Sequence, residues 1–144
     1  MRWVALALLC AAAACVPADG PLMEPGENCQ GCHGGSNAEP LYFGERRRHA
    51  TTWTIAGTVF DADGGVGVEG AEVQIKDANG FAFSLRTNQA GNFYSKETVA
   101  FPLSACVAIG GQTVCQATPV VSGSCNSCHN AASASPPATS LRAP

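Results

Sequence analysis

Apolar and polar residues alternate with a period of two through the middle of the chain, the pattern typical of half-buried β-strands. The alternation is clearest in WTIAGTVF (53–60), AEVQIKD (71–77) and FAFSLRT (81–87). The Gly-rich stretch DADGGVGVEG separates the first two segments, and an Asn-Gly turn separates the second from the third. These segments predict antiparallel strands, each with its apolar residues on one face: Ile55, Gly57 and Val59 in the first, Val73 and Ile75 (inward) in the second, and Phe81, Phe83 and Leu85 in the third.

A further hairpin is predicted in LSACVAIGGQTVCQATPVV (103–121), where a Gly-Gly pair joins two alternating segments. A two-residue loop at this pair places Cys106 opposite Cys115, at a non-hydrogen-bonded site where the Cα atoms are about 4.5 Å apart. That distance lies at the short edge of the disulfide range. We therefore predict a cross-strand disulfide between Cys106 and Cys115, which an oxidising compartment permits. Two reduced, half-buried thiols are the alternative.

The whole pattern predicts an all-β fold. The turn NQAG leads into NFYS (92–95), and a short extended segment is expected at 98–101, before the hairpin. This makes six or seven short antiparallel strands, which suits a small antiparallel β-sandwich. A length of 144 residues accommodates one domain plus tails. Helical periodicity is missing after the first fifteen residues, so helix content should be low.

The N-terminal segment MRWVALALLCAAAAC has the form of a secretory signal, with a positive start, an apolar core and then small residues. It is too short to span a bilayer, so we expect residues 1–14 to be removed on export. The run Ala12-Ala13-Ala14-Cys15 resembles a bacterial lipobox, although lipoproteins usually carry Leu where Ala12 stands. Cys15 is therefore a candidate lipid anchor for a protein of the periplasm or cell surface. Ordinary cleavage after an Ala-x-Ala sequence is the alternative.

The sequence Cys-x-x-Cys-His occurs twice, as CQGCH (29–33) and as CNSCH (125–129). It is the attachment motif of c-type haem, in which two thiols form thioethers with the porphyrin vinyl groups and the histidine ligates the iron. The spacing suits this chemistry because two intervening residues set the sulfurs at the separation of the vinyl groups. Two occurrences predict two covalent haem c groups, with thioethers from Cys29, Cys32, Cys125 and Cys128 and proximal iron ligands from His33 and His129. We expect a helical turn at each motif.

Other uses of these four cysteines are open. Together they could bind zinc, because four thiolates satisfy its tetrahedral geometry. That site leaves both motif histidines unused and needs reduced thiols in an oxidising compartment. Two local disulfides ignore the histidines as well, and a thioredoxin-like redox pair needs a βαβ setting that the strand pattern does not provide.

His49 is the third histidine of the chain and a candidate distal iron ligand. Met23, just upstream of the first motif, is the other conventional candidate, and it would raise the reduction potential relative to two histidines. At least one iron must therefore find its sixth ligand elsewhere than in a histidine of this chain. The run Arg46-Arg47-Arg48 precedes His49 and is a candidate partner for haem propionates, with a solvated loop as the alternative. Because this run is short and the net charge is −3, we expect no nucleic-acid partner.

Part of the strand region resembles the carboxypeptidase regulatory-like family, which has a transthyretin-type sandwich. The shared pattern is I-x-G-x-V, then G-A-x-V, then T-N-x-x-G-N-F. The whole chain, from CQGCH through the sandwich to SGSCNSCHN, also resembles a group of exported bacterial cytochromes. This resemblance implies extracytoplasmic electron transfer. The chain departs from the group after its first strand, where it has DADG (61–64) and the group often carries additional histidines.

These patterns divide the chain into a signal peptide (1–14), a linker with the first haem-binding segment (15–52), the β-sandwich (53–121), and the second haem-binding segment with an irregular tail (122–144). We expect an electron carrier that exchanges electrons with redox proteins, other cytochromes or copies of itself. No enzymatic activity is expected, because no acid/base group is seen beside an open iron. An exported binding module with disulfides or zinc and a haem-based ligand sensor are the alternatives. An even number of strands would bring both motifs to one end of the sandwich, and an odd number would separate them.

Overall fold

The computed structural model describes residues 22–34, 51–61, 65–129 and 141–142. Several predictions concern residues outside these ranges: the signal peptide (1–14), the lipid candidate Cys15, the distal ligand candidate His49 and the run Arg46-Arg47-Arg48. The side chain of Cys32 is also outside what is described. These assignments stay predictions.

The described residues form seven strands: β1 (Ile55–Phe60), β2 (Glu72–Lys76), β3 (Ala82–Arg86), β4 (Asn92–Ser95), β5 (Ser104–Ile109), β6 (Gln112–Cys115) and β7 (Leu141–Arg142). One sheet has the order β4-β1-β7 and the other the order β3-β2-β5-β6. Strand pairs are antiparallel, except that the two-residue β7 runs parallel to β1. The prediction of an all-β chain with antiparallel sheets is confirmed.

Helical structure is confined, within the described ranges, to two short turns. Helix α1 spans Cys29–His33, and a 3₁₀ turn spans Cys125–Ser127. Each coincides with one Cys-x-x-Cys-His motif, where a turn was expected. No helix in the described part of the chain has the length and apolar character needed to cross a membrane.

Both sheets contribute to one hydrophobic core, whose buried members are Ile55, Val59, Ala71, Val73, Ile75, Phe93, Leu103 and Val107. The inward positions predicted for β1 and β2 are confirmed, and β2 alternates strictly between exposed and buried residues. In β3, Phe83 and Leu85 pack against the core. Phe81, just before β3, is 46% exposed, and its ring packs on that of Phe83 with the centroids 5.4 Å apart.

The hairpin of β5 and β6 has the predicted register. Cys106 stands opposite Cys115 across the Gly-Gly turn, and the two form a disulfide with a Cα–Cα distance of 3.9 Å. The disulfide prediction is therefore confirmed. After β6 the chain folds back on the start of β5, where Leu103 and Val120 exchange two backbone hydrogen bonds of 2.9 and 2.8 Å. This return directs the chain toward the second motif.

The segment 98–101 forms no strand. It is held instead by Asp77, whose Oδ2 accepts a hydrogen bond from Ala100 N (2.9 Å) while Oδ1 accepts from Asn79 N (2.8 Å) and Phe81 N (2.9 Å). The bond from Ala100 is the main reason why the pKa of Asp77 is lowered, and the bonds within the turn act in the same direction against the effect of burial. One carboxylate thus fixes both a turn and a loop.

Strand β1 is buried along its whole length and on both faces. Ile55 and Val59 face the hydrophobic core, so the neighbouring side chains point to the opposite face of the sheet. On the edge of β1 away from β4, Ala56 N donates to Gly123 O (2.9 Å), which lays the approach to the second motif along the strand. Both motifs, with the segments that lead into them, pack against β1, which explains why it is buried on both faces.

Candidate functional site

The two Cys-x-x-Cys-His motifs lie side by side, although 96 positions separate them in the sequence. Ser124 Oγ, just before the second motif, donates to Asn28 Oδ1, just before the first, at 2.7 Å. Asn126 Nδ2, inside the second motif, donates to Glu27 O at 2.8 Å. Among the described residues, the six strands β1 to β6 lie between the motifs, and this even number returns the chain to the end of the sandwich where it started.

A buried polar cluster of Thr58, Asn92 and Asn126 connects the motifs to β1. Thr58 Oγ1 donates to Asn92 Oδ1 (2.7 Å) and accepts from Asn126 Nδ2 (2.9 Å) and from Gly26 N (2.9 Å). The three side chains are 0–3% exposed. The hydroxyl uses its one proton and both lone pairs, so this cluster carries no unsatisfied group at its centre.

Asn126 connects the polar cluster and β1 to the start of the first motif. Its Oδ1 accepts from Thr58 N (2.9 Å), and its Nδ2 donates to Glu27 O and to Thr58 Oγ1. The same Nδ2 lies 3.8 Å from Cys29 Sγ of the first motif. Sequence reasoning treated Asn126 as a spacer between two cysteines. The one sign of its importance was its place in the S-G-x-C-N-S-C-H run of the cytochrome resemblance.

The first motif has an amide at the equivalent position, Gln30, and it binds the main chain just before β1. Gln30 Nε2 donates to Trp53 O (3.2 Å) and Thr54 O (3.0 Å), at the entrance to the strand. In each motif, therefore, the first residue between the cysteines is a carboxamide that ties the motif to the main chain at or next to β1. The sequence shows the two amides, but their common role requires the contacts.

Two glycines let the second motif approach β1 closely. A Cβ on Gly57 would lie 2.7 Å from Cys125 Cβ and 2.8 Å from Phe93 Cζ, and a Cβ on Gly123 would lie 1.8 Å from Thr54 O. Any larger side chain at either position would push the motif away from the strand. These residues are part of the scaffold that positions Cys125.

His33 is held in a defined orientation at the end of α1. Its Nδ1 lies 2.9 Å from Thr51 O, and its carbonyl accepts a hydrogen bond from Trp53 N (3.1 Å). Because a carbonyl oxygen only accepts, Nδ1 must carry the proton, which leaves the lone pair of the neutral ring on Nε2. A histidine ligand to a metal typically donates its second N–H to a backbone carbonyl in this way.

The ring of His33 lies beside an aromatic pair formed by Trp53 and Tyr94. Its ring centroid lies 5.6 Å from that of Trp53, which in turn lies 4.4 Å from that of Tyr94. Lys96 Nζ stands 5.5 Å from the Trp53 ring centroid. Trp53 precedes β1 and does not belong to the hydrophobic core. Its Nε1 is buried and has no hydrogen-bond partner within the described part of the chain.

The second motif is more enclosed at its first cysteine than at its last. Burial is the main reason why the pKa of Cys125 is raised to about 12, and the nearby Cys29 adds to the effect. Cys128 is exposed. A neutral form of sulfur, whether thiol or thioether, is therefore favoured at Cys125 over a thiolate.

His129 follows Cys128 and donates its backbone N–H to Cys125 O at 2.9 Å. Its Nδ1 is buried and, among the described residues, meets no hydrogen-bond partner. Leaving a buried polar atom unpaired costs about 1–3 kcal/mol. The two motif histidines thus differ within the described part of the chain, where a carbonyl orients the ring of His33 and none meets Nδ1 of His129.

A cavity of about 390 Å³ lies between the two sheets. Core residues from both sheets line it, among them Ile55 and Phe93 on one side and Val73 and Val107 on the other. Cys125, Cys128 and His129 line it as well, and exposed residues such as Val121 form part of its rim. We call it the inter-sheet cavity.

Met23 is the one candidate distal ligand within the described ranges. Its carbonyl accepts a hydrogen bond from Asn92 Nδ2, so its backbone is attached to the polar cluster. Among the described residues, no three His, Cys, Asp or Glu side chains are placed to share a metal ion. No protein-family model, curated protein or solved structure matches this chain.

Proposed function

We propose that this protein is an exported dihaem c-type cytochrome that carries electrons. The observation that carries the proposal is the juxtaposition, on one strand, of two Cys-x-x-Cys-His motifs of identical spacing, one of which presents a histidine with Nε2 free for a metal. Cys29, Cys32 and His33 would hold one haem. Cys125, Cys128 and His129 would hold the other.

The residues around the motifs fit such a group. The hydrogen bond from His33 Nδ1 to Thr51 O leaves Nε2 as the ligating nitrogen, as a proximal ligand requires. Within the described ranges, the two buried side-chain polar atoms without a partner are Trp53 Nε1, beside His33, and His129 Nδ1. A haem carries propionate acceptors, so Trp53 Nε1 would gain a partner beside the first motif, whereas His129 Nδ1 would need an acceptor other than the iron, which Nε2 would bind.

The chain itself supplies attachment, orientation and rigidity. When bound, haem c provides one-electron cycling between Fe(III) and Fe(II). The polar cluster holds both motifs against β1, and the disulfide staples the hairpin that leads into the second motif. A rigid scaffold of this kind suits a carrier, because an electron moves most readily when the surroundings of the iron do not have to rearrange.

The remaining sequence predictions complete the proposal. The scaffold is a carboxypeptidase regulatory-like sandwich, and Cys15 would anchor the exported protein to a membrane. His49 and Met23 remain candidates for the distal positions, and Arg46-Arg47-Arg48 for propionate contacts. Redox proteins, including other cytochromes or further copies of this chain, would be its partners.

The test is a pyridine haemochrome spectrum of protein matured in a host that attaches c-type haem. We expect the α-band of haem c with two haems per chain. The pairs Cys29→Ser/Cys32→Ser and Cys125→Ser/Cys128→Ser should each leave one haem, while the matched pair Cys106→Ser/Cys115→Ser should keep both.

The alternatives give different results in the same samples. Absence of the α-band, together with one zinc per chain, would mean a zinc site. Absence of both iron and zinc, with two additional disulfides found by mass spectrometry, would mean a binding module without haem. A carbon monoxide shift in the reduced spectrum would indicate a ligand sensor.

A further inference from the structure

The walls of the inter-sheet cavity are apolar and reach the hydrophobic core. Ile55 and Phe93 belong to one sheet and Val73 and Val107 to the other, and all four are at least 95% buried. A cavity of about 390 Å³ falls in the range of pockets that bind small molecules. Because the inner walls of this space are apolar, it favours an apolar occupant over water.

All three attachment residues of the second motif line this cavity, namely Cys125, Cys128 and His129. No lining residue comes from 22–34, the segment that carries the first motif. The first motif is docked elsewhere, with Gln30 at the entrance to β1 and His33 against Trp53. The two motifs are neighbours, but the inter-sheet cavity belongs to one of them.

We propose that the inter-sheet cavity receives the haem carried by Cys125 and Cys128, whereas the haem carried by Cys29 and Cys32 lies outside it. The inference rests on the proposed function. The occupant follows from covalent attachment, because a macrocycle tethered at both cysteines of the second motif must lie against the surface that those cysteines line. Val73, Val107 and Phe93 are then contact residues of that haem as well as members of the core.

The placement makes the two haems chemically unequal. Oxidation to Fe(III) adds a positive charge, and an apolar, water-poor surrounding disfavours the more highly charged state. For equal axial ligands, the haem of the second motif therefore has the higher reduction potential. The protein would hold its electron preferentially at the enclosed site and exchange electrons with partners through the outer one.

The first test is made on the unaltered, reduced protein with labelled methyl groups. We expect nuclear Overhauser contacts between haem protons and the methyl groups of Val73 and Val107, whose signals should also be displaced by the ring current. Contacts confined to methyl groups outside the cavity, such as those of Leu22 or Val66, would overturn the placement. This measurement does not depend on the folding of any variant.

The second test fills the cavity from β5. Ala105 lines the cavity, while Ala108, three positions further along β5, lies on the other face of the strand. We expect Ala105→Phe to lower one of the two reduction potentials, and Ala108→Phe to lower neither. We set the threshold at a tenfold change in one reduction equilibrium, about 59 mV for one electron.

The outcomes separate the two proposals. Two haems per chain with equal effects of Ala105→Phe and Ala108→Phe would refute the placement and leave the cytochrome intact. A chain without haem would refute the proposed function, and the placement with it. Two haems with the selective effect of Ala105→Phe would support both.

Discussion

Replacing Asn126 by Ala removes the side chain that ties the second motif to β1 and to the first motif. The change deletes three hydrogen bonds, one accepted from Thr58 N and two donated, to Glu27 O and to Thr58 Oγ1. Asn126 is 2% exposed and Thr58 is 0% exposed, so water does not replace these partners unless the structure opens. The variant therefore tests whether this cluster holds the two motifs together.

The expected loss follows from the number and burial of the bonds. Each contributes about 0.5–1.5 kcal/mol net, and a buried group left without a partner costs about 1–3 kcal/mol. With the Thr58 N–H stranded in the interior, we expect Asn126→Ala to lower the free energy of unfolding by about 3–4 kcal/mol. A domain of this size has about 5–15 kcal/mol in total, so the variant should still fold.

The assay is urea unfolding of the matured protein, followed by circular dichroism. Ser127→Ala is the matched control, because it changes the next residue of the same motif and removes one exposed bond, from Ser127 Oγ to Ser124 O. It should cost less than about 1 kcal/mol. Gln30→Ala, at the equivalent position of the first motif, should cost about 1 kcal/mol, since it deletes bonds to two carbonyls that are only partly buried. If Asn126→Ala costs no more than Ser127→Ala, the cluster does not have the role assigned to it.

Three further predictions concern the scaffold. The pair Cys106→Ser/Cys115→Ser removes the disulfide, whose cysteines are 9 positions apart. It should lower the free energy of unfolding by about 2–3 kcal/mol in a urea titration. An unchanged urea midpoint would contradict this. Gly57→Ala places a Cβ 2.7 Å from Cys125 Cβ and should lower the free energy of unfolding by about 1–3 kcal/mol. The control Gly65→Ala meets no atom within 4 Å and should change it little. Equal thermal midpoints for the two variants would refute the close-approach argument. Asp77→Asn should destabilise the protein at pH 7. The lowered pKa of this carboxyl means that its contribution is present above the unfolded-state pKa, about 3.9, and is lost as the pH falls through the folded-state pKa. The difference between Asp77→Asn and the unaltered protein should therefore shrink between pH 7 and pH 3, and a constant difference would contradict the assignment.

The strands and the disulfide were predictable because they depend on local pattern. Period-two alternation locates β1, β2 and β3, and the Gly-Gly turn sets the register that pairs Cys106 with Cys115. The pattern did not predict how the segment 98–101 is held, which depends on the hydrogen bond from Ala100 N to Asp77 Oδ2. A sequence pattern carries no signal for such a side-chain-to-backbone bond across 23 residues.

The candidate site, too, was predictable only in its local features. The two Cys-x-x-Cys-His motifs, with their cysteines and histidines, are visible in the sequence because attachment chemistry depends on a short, fixed spacing. The roles of Asn126, Thr58 and Gly57 are not visible, because each depends on a contact with residues more than thirty positions away. The same holds for the orientation of His33 by Thr51, 18 positions further on.

By itself, then, the sequence determined the all-β character of the chain, the disulfide hairpin, and the proposal of two covalent haem sites, since periodicity, turn type and motif spacing are local properties. The tertiary structure alone decided that the motifs meet on β1, that a buried Thr58–Asn92–Asn126 cluster joins them, and that the second motif borders the inter-sheet cavity. Those features arise from strand parity and side-chain packing, which bring together residues that are up to 99 positions apart. For CQGCH and CNSCH the spacing is the same, and only packing distinguishes their surroundings.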